Sequence, residues 1–128
     1  VSVPMPPLHF ATYFWLAQRC KKGKETVRPG ENAQADEFLQ VYRQVVGSGS
    51  GDFDNACKAL RNPEYFLPYF QEKRSRVNKL IKNQLGVVAA QPYIIASQGK
   101  RLNTRYGLTL MPEQVNLPER MAIVLGSC

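Results

Sequence analysis

The sequence lacks the raw material for several classes of protein. No apolar run approaches the roughly 18–20 residues that a membrane helix needs. Three cysteines, Cys20, Cys57 and Cys128, are too few and too scattered for a disulfide framework or a four-thiolate zinc site. Unpaired thiols fit a reducing compartment, so a cytoplasmic location is expected. Cys57 reads as a buried apolar residue, Cys20 and Cys128 as exposed thiols. Val1–Leu8 carries no charge and three prolines, so it is not read as a Lys/Arg-led signal peptide. The first residue is not Met, which suits a processed chain or an excised fragment. Histidine occurs once, as His9, and no Ser or Cys sits in a recognisable nucleophile context. Asp36, Glu37, Asp52 and Asp54 sit at expected helix starts, where acids suit the helix dipole rather than catalysis. The run Gly47–Gly51 lacks the Lys of a phosphate loop, and metal-ligand spacing is missing. The expectation is a non-enzyme with no cofactor, metal or small-molecule ligand.

What is present is one domain's length, 128 residues, of which 44% are apolar and 21% charged. The net charge is +7, and its placement is more informative than its size. Gln71–Arg105 holds eight bases (Lys73, Arg74, Arg76, Lys79, Lys82, Lys100, Arg101, Arg105) against the single acid Glu72. The rest of the chain is balanced, so the whole excess lies in this segment. Most charge runs are simply solvated surface, but an excess so localised is the footprint of a polyanion site.

Hydrophobic spacing predicts the organisation. Val1–Pro7 reads as an extended arm, because prolines at 4, 6 and 7 restrict the backbone and remove donors. Leu8–Cys20 is an aromatic helix that either joins the core or forms a dimer surface; we expect it partly to face a partner. Lys21–Asn32 reads as a mobile polar loop, and Asp36–Val46 as an amphipathic helix carrying Phe38, Leu39, Tyr42, Val45 and Val46 on one face. Asp52 can cap a short helix to Leu60. Glu64–Phe70 is aromatic, and Pro68 either starts the next helix or kinks a continuous one. Gln71–Leu85 continues as helix, with Gly86 as its stop. Gln91–Ser97 and Tyr106–Leu110 read as two strands of a hairpin whose tip, Gln98–Arg105, is polar and basic. Glu119–Leu125 reads as a short apolar helix within a C-terminal tail.

On a helical wheel, Val77, Leu80, Ile81, Gln84 and Leu85 share a core-facing stripe, while Ser75, Arg76, Lys79, Lys82 and Asn83 collect opposite. Arg and Lys neutralise phosphates, and Arg and Asn match guanine and adenine edges in a major groove. Carboxylates at helical spacing are missing around Lys79 and Lys82; Glu72, four before Arg76, is the one available. The hairpin tip repeats the chemistry with Lys100, Arg101, Asn103, Thr104 and Arg105.

The order of short helix, turn, basic helix and basic-tipped hairpin over Asp52–Leu110 resembles a winged helix-turn-helix DNA-binding domain. Ser75–Leu80, then Tyr93–Arg101 and Thr104–Leu108, are similar to bacterial regulators of the response-regulator effector kind, whose hairpin has the form Gly-Arg-Gly-Tyr-x-Leu. The tip is longer than in that family, and the aromatic segment Glu64–Phe70 precedes the recognition helix. The resemblance implies a mainly α fold with a small β-hairpin, additional N-terminal helices (8–47), a winged-helix core (52–110) and a tail (111–128), in a single domain. It also implies dimeric binding to duplex DNA, in transcription regulation or in replication and replicon maintenance. The expected DNA contacts are Ser75, Arg76, Lys79, Lys82 and Asn83 in the major groove, Lys73 and Arg74 on phosphates, and Lys100, Arg101, Asn103 and Arg105 from the wing. The alternatives are a protein-interaction module on the same scaffold, and, less favoured, an RNA binder.

Overall fold

Trp15 organises the interior. Its ring lies 5.5 Å from Phe38, 6.1 Å from Phe66 and 6.1 Å from Phe70, so one side chain joins three helices. The computed structural model describes residues 2–28, 34–46, 51–60, 62–99, 104–110 and 122–124. Within them the order is β1 (Ser2–Pro4), α1 (Pro7–Lys21), α2 (Gln34–Val46), α3 (Gly51–Leu60), α4 (Pro63–Leu85), α5 (Val87–Ala90), β2 (Ala96–Gln98), β3 (Arg105–Gly107) and β4 (Ala122–Val124). The fold is mainly helical, with two small antiparallel sheets, β1–β4 and β2–β3.

The choice left open for α1 is settled by packing. Phe10, Tyr13, Trp15 and Leu16 are all buried inside the chain against α2 and α4, so this aromatic face is core and not a partner surface. α2 is the expected amphipathic helix, with Phe38, Leu39, Val41 and Tyr42 buried. It starts two residues earlier than expected. α3 likewise begins at Gly51, which places Asp52 inside the helix rather than at its cap.

Pro68 lies within one continuous helix of 23 residues. Glu64–Phe70 therefore lies in the first part of α4 and is not a separate segment before a recognition helix. Buried Phe66 and Phe70 hold that part against Trp15, which outweighs the amide proton that Pro68 cannot give. The helix opens where Asn62 Oδ1 accepts the Glu64 N–H at 3.0 Å, with Pro63 at the first helical position. Asn62→Ala is expected to cost about 1 kcal/mol, measured by urea denaturation. Gly86, at φ 85°, stops the helix in the left-handed region that glycine tolerates.

Expectations near the chain's ends and loops are refined by the packing. The arm is extended over Ser2–Pro4, as expected, but packed: Val3 and Met5 are buried, and Ser2–Pro4 pairs with Ala122–Val124, where a helix was expected. Ile123 and Val124 are β-branched and find a partner strand more than a hundred residues away in sequence. The described part of the loop after α1 is docked, because Val27 is fully buried and exchanges two backbone hydrogen bonds with Tyr106, at 2.7 and 2.8 Å. Val27 thus adds a third, one-residue rung beside β3. The first hairpin strand is also shorter than expected. Val87–Ala90 is helical, and backbone bonds from Tyr93 and Ile94 to the Ala90 carbonyl turn the chain before β2 begins. Residues 47–50 and most of the tail lie outside the described residues.

Candidate functional site

A single flank of α4 grips the described residues of the hairpin. Asn78 is buried; its Oδ1 accepts the Ile95 N–H at 2.8 Å, and its Nδ2 donates to the Ile95 carbonyl at 3.1 Å. One turn earlier, Arg74 Nε donates to the same carbonyl at 3.1 Å and its terminal nitrogen to Ser97 Oγ at 3.3 Å. The Arg74 guanidinium also lies 5.2 Å from the centre of the Tyr106 ring on β3. A further turn back, Gln71 Nε2 donates to the Tyr106 hydroxyl at 3.2 Å. From the other side of the fold, the Tyr13 hydroxyl donates to the Tyr93 carbonyl at 2.7 Å, which ties α1 to the approach to β2.

These contacts sort the expected DNA-contacting residues into groups. Arg74 is engaged internally, as is Arg105, whose guanidinium donates to Thr26 Oγ1 at 3.2 Å and to the Thr26 carbonyl, 3.8 Å from Glu25. Both therefore hold the hairpin rather than reach outward. Lys73 is not near a helix start; its ammonium sits 3.3 Å from Glu72 and 5.3 Å from the centre of the Tyr69 ring. Arg76 is exposed but pairs with Glu72 at 3.2 Å. Ser75, Lys79 and Asn83 are exposed, and Lys82 is half-buried. Among the described residues neither Lys79 nor Lys82 has a carboxylate partner. Lys100, Arg101 and Asn103 lie outside the described residues.

Helical geometry divides the outer face in two. At 100° per residue, Ser75 and Lys82 lie beside the Gln71–Arg74–Asn78 flank, and so on the hairpin's side, while Lys79 lies at the crest, opposite the buried Val77. Arg76 and Asn83 lie on the other shoulder, toward α1. There His9 is half-buried; burial, then the charges of Lys73 and Arg76, push its pKa down against the opposing pull of Glu72. Gln84, expected in the apolar stripe, is exposed, whereas Val77 and Ile81 are fully buried.

Asn78, Gln71 and Val27 escaped sequence reasoning. Asn78 carried a faint signal: a poor helix former in mid-helix, at the border of the apolar stripe. Its partner backbone is 17 residues on, and nothing local reveals that pairing. Cys20, expected as an exposed thiol, is half-buried, with its Sγ 3.1 Å from the Leu110 carbonyl, and burial pushes its pKa up. Cys57 is half-buried against the core, and Cys128 lies outside the described residues.

A second polar cluster lies at the far end of α1. An open cleft of about 430 Å³ is lined by Arg19, Lys22, Lys24, Asp36, Glu37 and neighbouring glutamines. Glu37 Oε1 accepts from Trp15 Nε1 at 2.8 Å and from Arg19 at 2.7 Å, while Lys24 lies 4.0 Å from Oε2. Burial pulls the Glu37 carboxyl upward, but the bonds from Arg19 and Trp15 and the charges of Arg19 and Lys24 outweigh it and hold its pKa below the ordinary 4.5. A carboxyl depressed on folding adds stability above its unfolded pKa and loses it as pH falls through the folded value. The stability gap between wild type and Glu37→Gln should therefore narrow below pH 4.5, as measured by denaturation at a series of pH values.

Among the described residues no helix is long and apolar enough to cross a membrane, and no group of three or more His, Cys, Asp or Glu is placed to hold a metal ion. No protein family, curated protein or solved structure matches the chain.

Proposed function

We propose that this protein binds double-stranded DNA in a sequence-specific manner and regulates transcription, through a winged helix-turn-helix arrangement. α3 and α4 form the helix pair, and β2–β3 with the segment leading to the tip is the wing. The outer face of α4, with Ser75, Lys79, Lys82, Asn83 and Arg76, enters the major groove. The wing, with Lys100, Arg101 and Asn103, meets the adjacent backbone or minor groove. Arg74 and Arg105 serve this interface by holding the wing to α4 and to the Val27 segment.

The observation that carries the reading is the combination of charge and join. The chain's entire cationic excess lies in the stretch Gln71–Arg105, and the Asn78 and Arg74 bonds tie α4 to the described part of the hairpin within that stretch. Replication or maintenance of a replicon would use the same surface. Dimeric binding to a two-fold site belongs to the proposal, on a surface other than the buried aromatic face of α1.

A protein partner is the second reading, favoured by Val87 and Val88, which are 63% and 86% exposed just past the end of α4. A salt titration on random-sequence duplex separates the two. Duplex affinity should fall steeply and log-linearly with salt, with a slope of about −0.9 per phosphate neutralised. Absence of binding at low salt, or a flat profile, overturns the DNA reading.

A further inference from the structure

We infer that Asn78 is the positioning residue that sets the hairpin against α4, acting on DNA binding without touching DNA; this deepens the reading above and rests on it for the DNA arm of the test. The side-chain amide offers one acceptor and one donor side by side. Asn78 applies both to one residue, Ile95, accepting its N–H and donating to its carbonyl. That is what a neighbouring strand would do, yet here it is done from the side of a helix. Ile95 is fully buried and immediately precedes β2, so its backbone has no alternative in water.

The position of this pair in the chain gives it consequence. Lys79 and Lys82 follow Asn78 on α4, whereas Lys100 and Arg101, outside the described residues, follow Ile95 and β2 in sequence. The two groups of cations can meet one duplex together only if the angle between helix and hairpin is held. Arg74 shares the Ile95 carbonyl but leaves the N–H alone, and Gln71 grips β3 through Tyr106. Asn78 is the contact that fixes both polar groups at the hairpin's root.

The test compares Asn78→Asp and the milder Asn78→Ser with Phe66→Leu, which weakens the core away from the hairpin. A carboxylate of the same size still accepts the Ile95 N–H but opposes the Ile95 carbonyl. Amide hydrogen exchange is followed in the full chain, and duplex affinity is measured across a salt series. In both Asn78 variants, exchange at 95–98 and 105–107 should rise about tenfold or more while α1 and α4 stay protected, as expected for local opening. The salt slope should become shallower by about 1–2, the share of phosphates reached by the hairpin. Phe66→Leu should lower Tm and leave the slope as it is.

Hairpin protection equal to wild type in both variants overturns the inference, as does global unfolding of both or a wild-type slope in either. If wild type binds no duplex, the DNA reading falls, and the exchange pattern alone still decides whether Asn78 locks the hairpin.

Discussion

Duplex binding should be lost when Lys79 and Lys82 are both reversed to Glu. Both sit on the outer face of α4, Lys82 on the hairpin's side and Lys79 at the crest, and among the described residues neither has a carboxylate partner to absorb the change. Removing a contact of this kind costs about 1–3 kcal/mol, so two should weaken binding on the order of a hundredfold before the repulsion of the new carboxylates is added. The matched control reverses Lys22 and Arg43, exposed residues on or beside α1 and α2, and changes net charge by the same amount. At 0.1–0.15 M salt the screening length is about 8–10 Å, so a distant reversal acts only weakly. Lys24 is unsuitable as a control, because it lies within 4.0 Å of Glu37 and its reversal would disturb that cluster. Gel shifts at matched salt read the result. Equal binding by the two double variants would move the site off α4.

The largest stability effect is expected at Trp15. It is 1% exposed, touches Phe38, Phe66 and Phe70, and donates its indole N–H to Glu37. Trp15→Ala should cost about 3–5 kcal/mol, since the cavity lies between three helices that cannot all close on it. That is a large share of the roughly 5–15 kcal/mol that holds a domain folded. A fall in Tm of about 10–20 °C should accompany it, read by thermal unfolding. Trp15→Phe keeps most of the ring contact and loses the bond to Glu37, so it should fall well short of the alanine variant. A loss under about 1 kcal/mol for Trp15→Ala would mean that this side chain does not organise the core.

The helices were legible because their signal is local. Phe38, Leu39 and Tyr42, or Val77 and Ile81, recur at the helical period, and each set is buried. The strands were less legible. β2 and β3 are three residues each, too short for alternation to show, and the first half of the expected strand Gln91–Ser97 is a turn that follows α5, so pairing starts only at Ala96. β1 and β4 were read as an arm and a helix, since neither strand exists without the other. The charged face was visible as composition, but the individual roles within it were not. Arg74 and Arg105 look the same as Lys79 in sequence, and only their neighbours, Ile95, Ser97 and Thr26, turn them inward.

From the sequence by itself came four of the five helices among the described residues, the concentration of cations between Gln71 and Arg105, and the basic outer face of α4. These follow from periodicity and charge, which act between residues close in the chain. Tertiary structure alone decided that α1 is core, that Val27 and Ser2–Pro4 are strand-paired, and that Asn78 faces Ile95 rather than solvent. Those outcomes depend on which backbone polar groups are left without water when distant segments pack together, and each such group must then find its partner inside the fold.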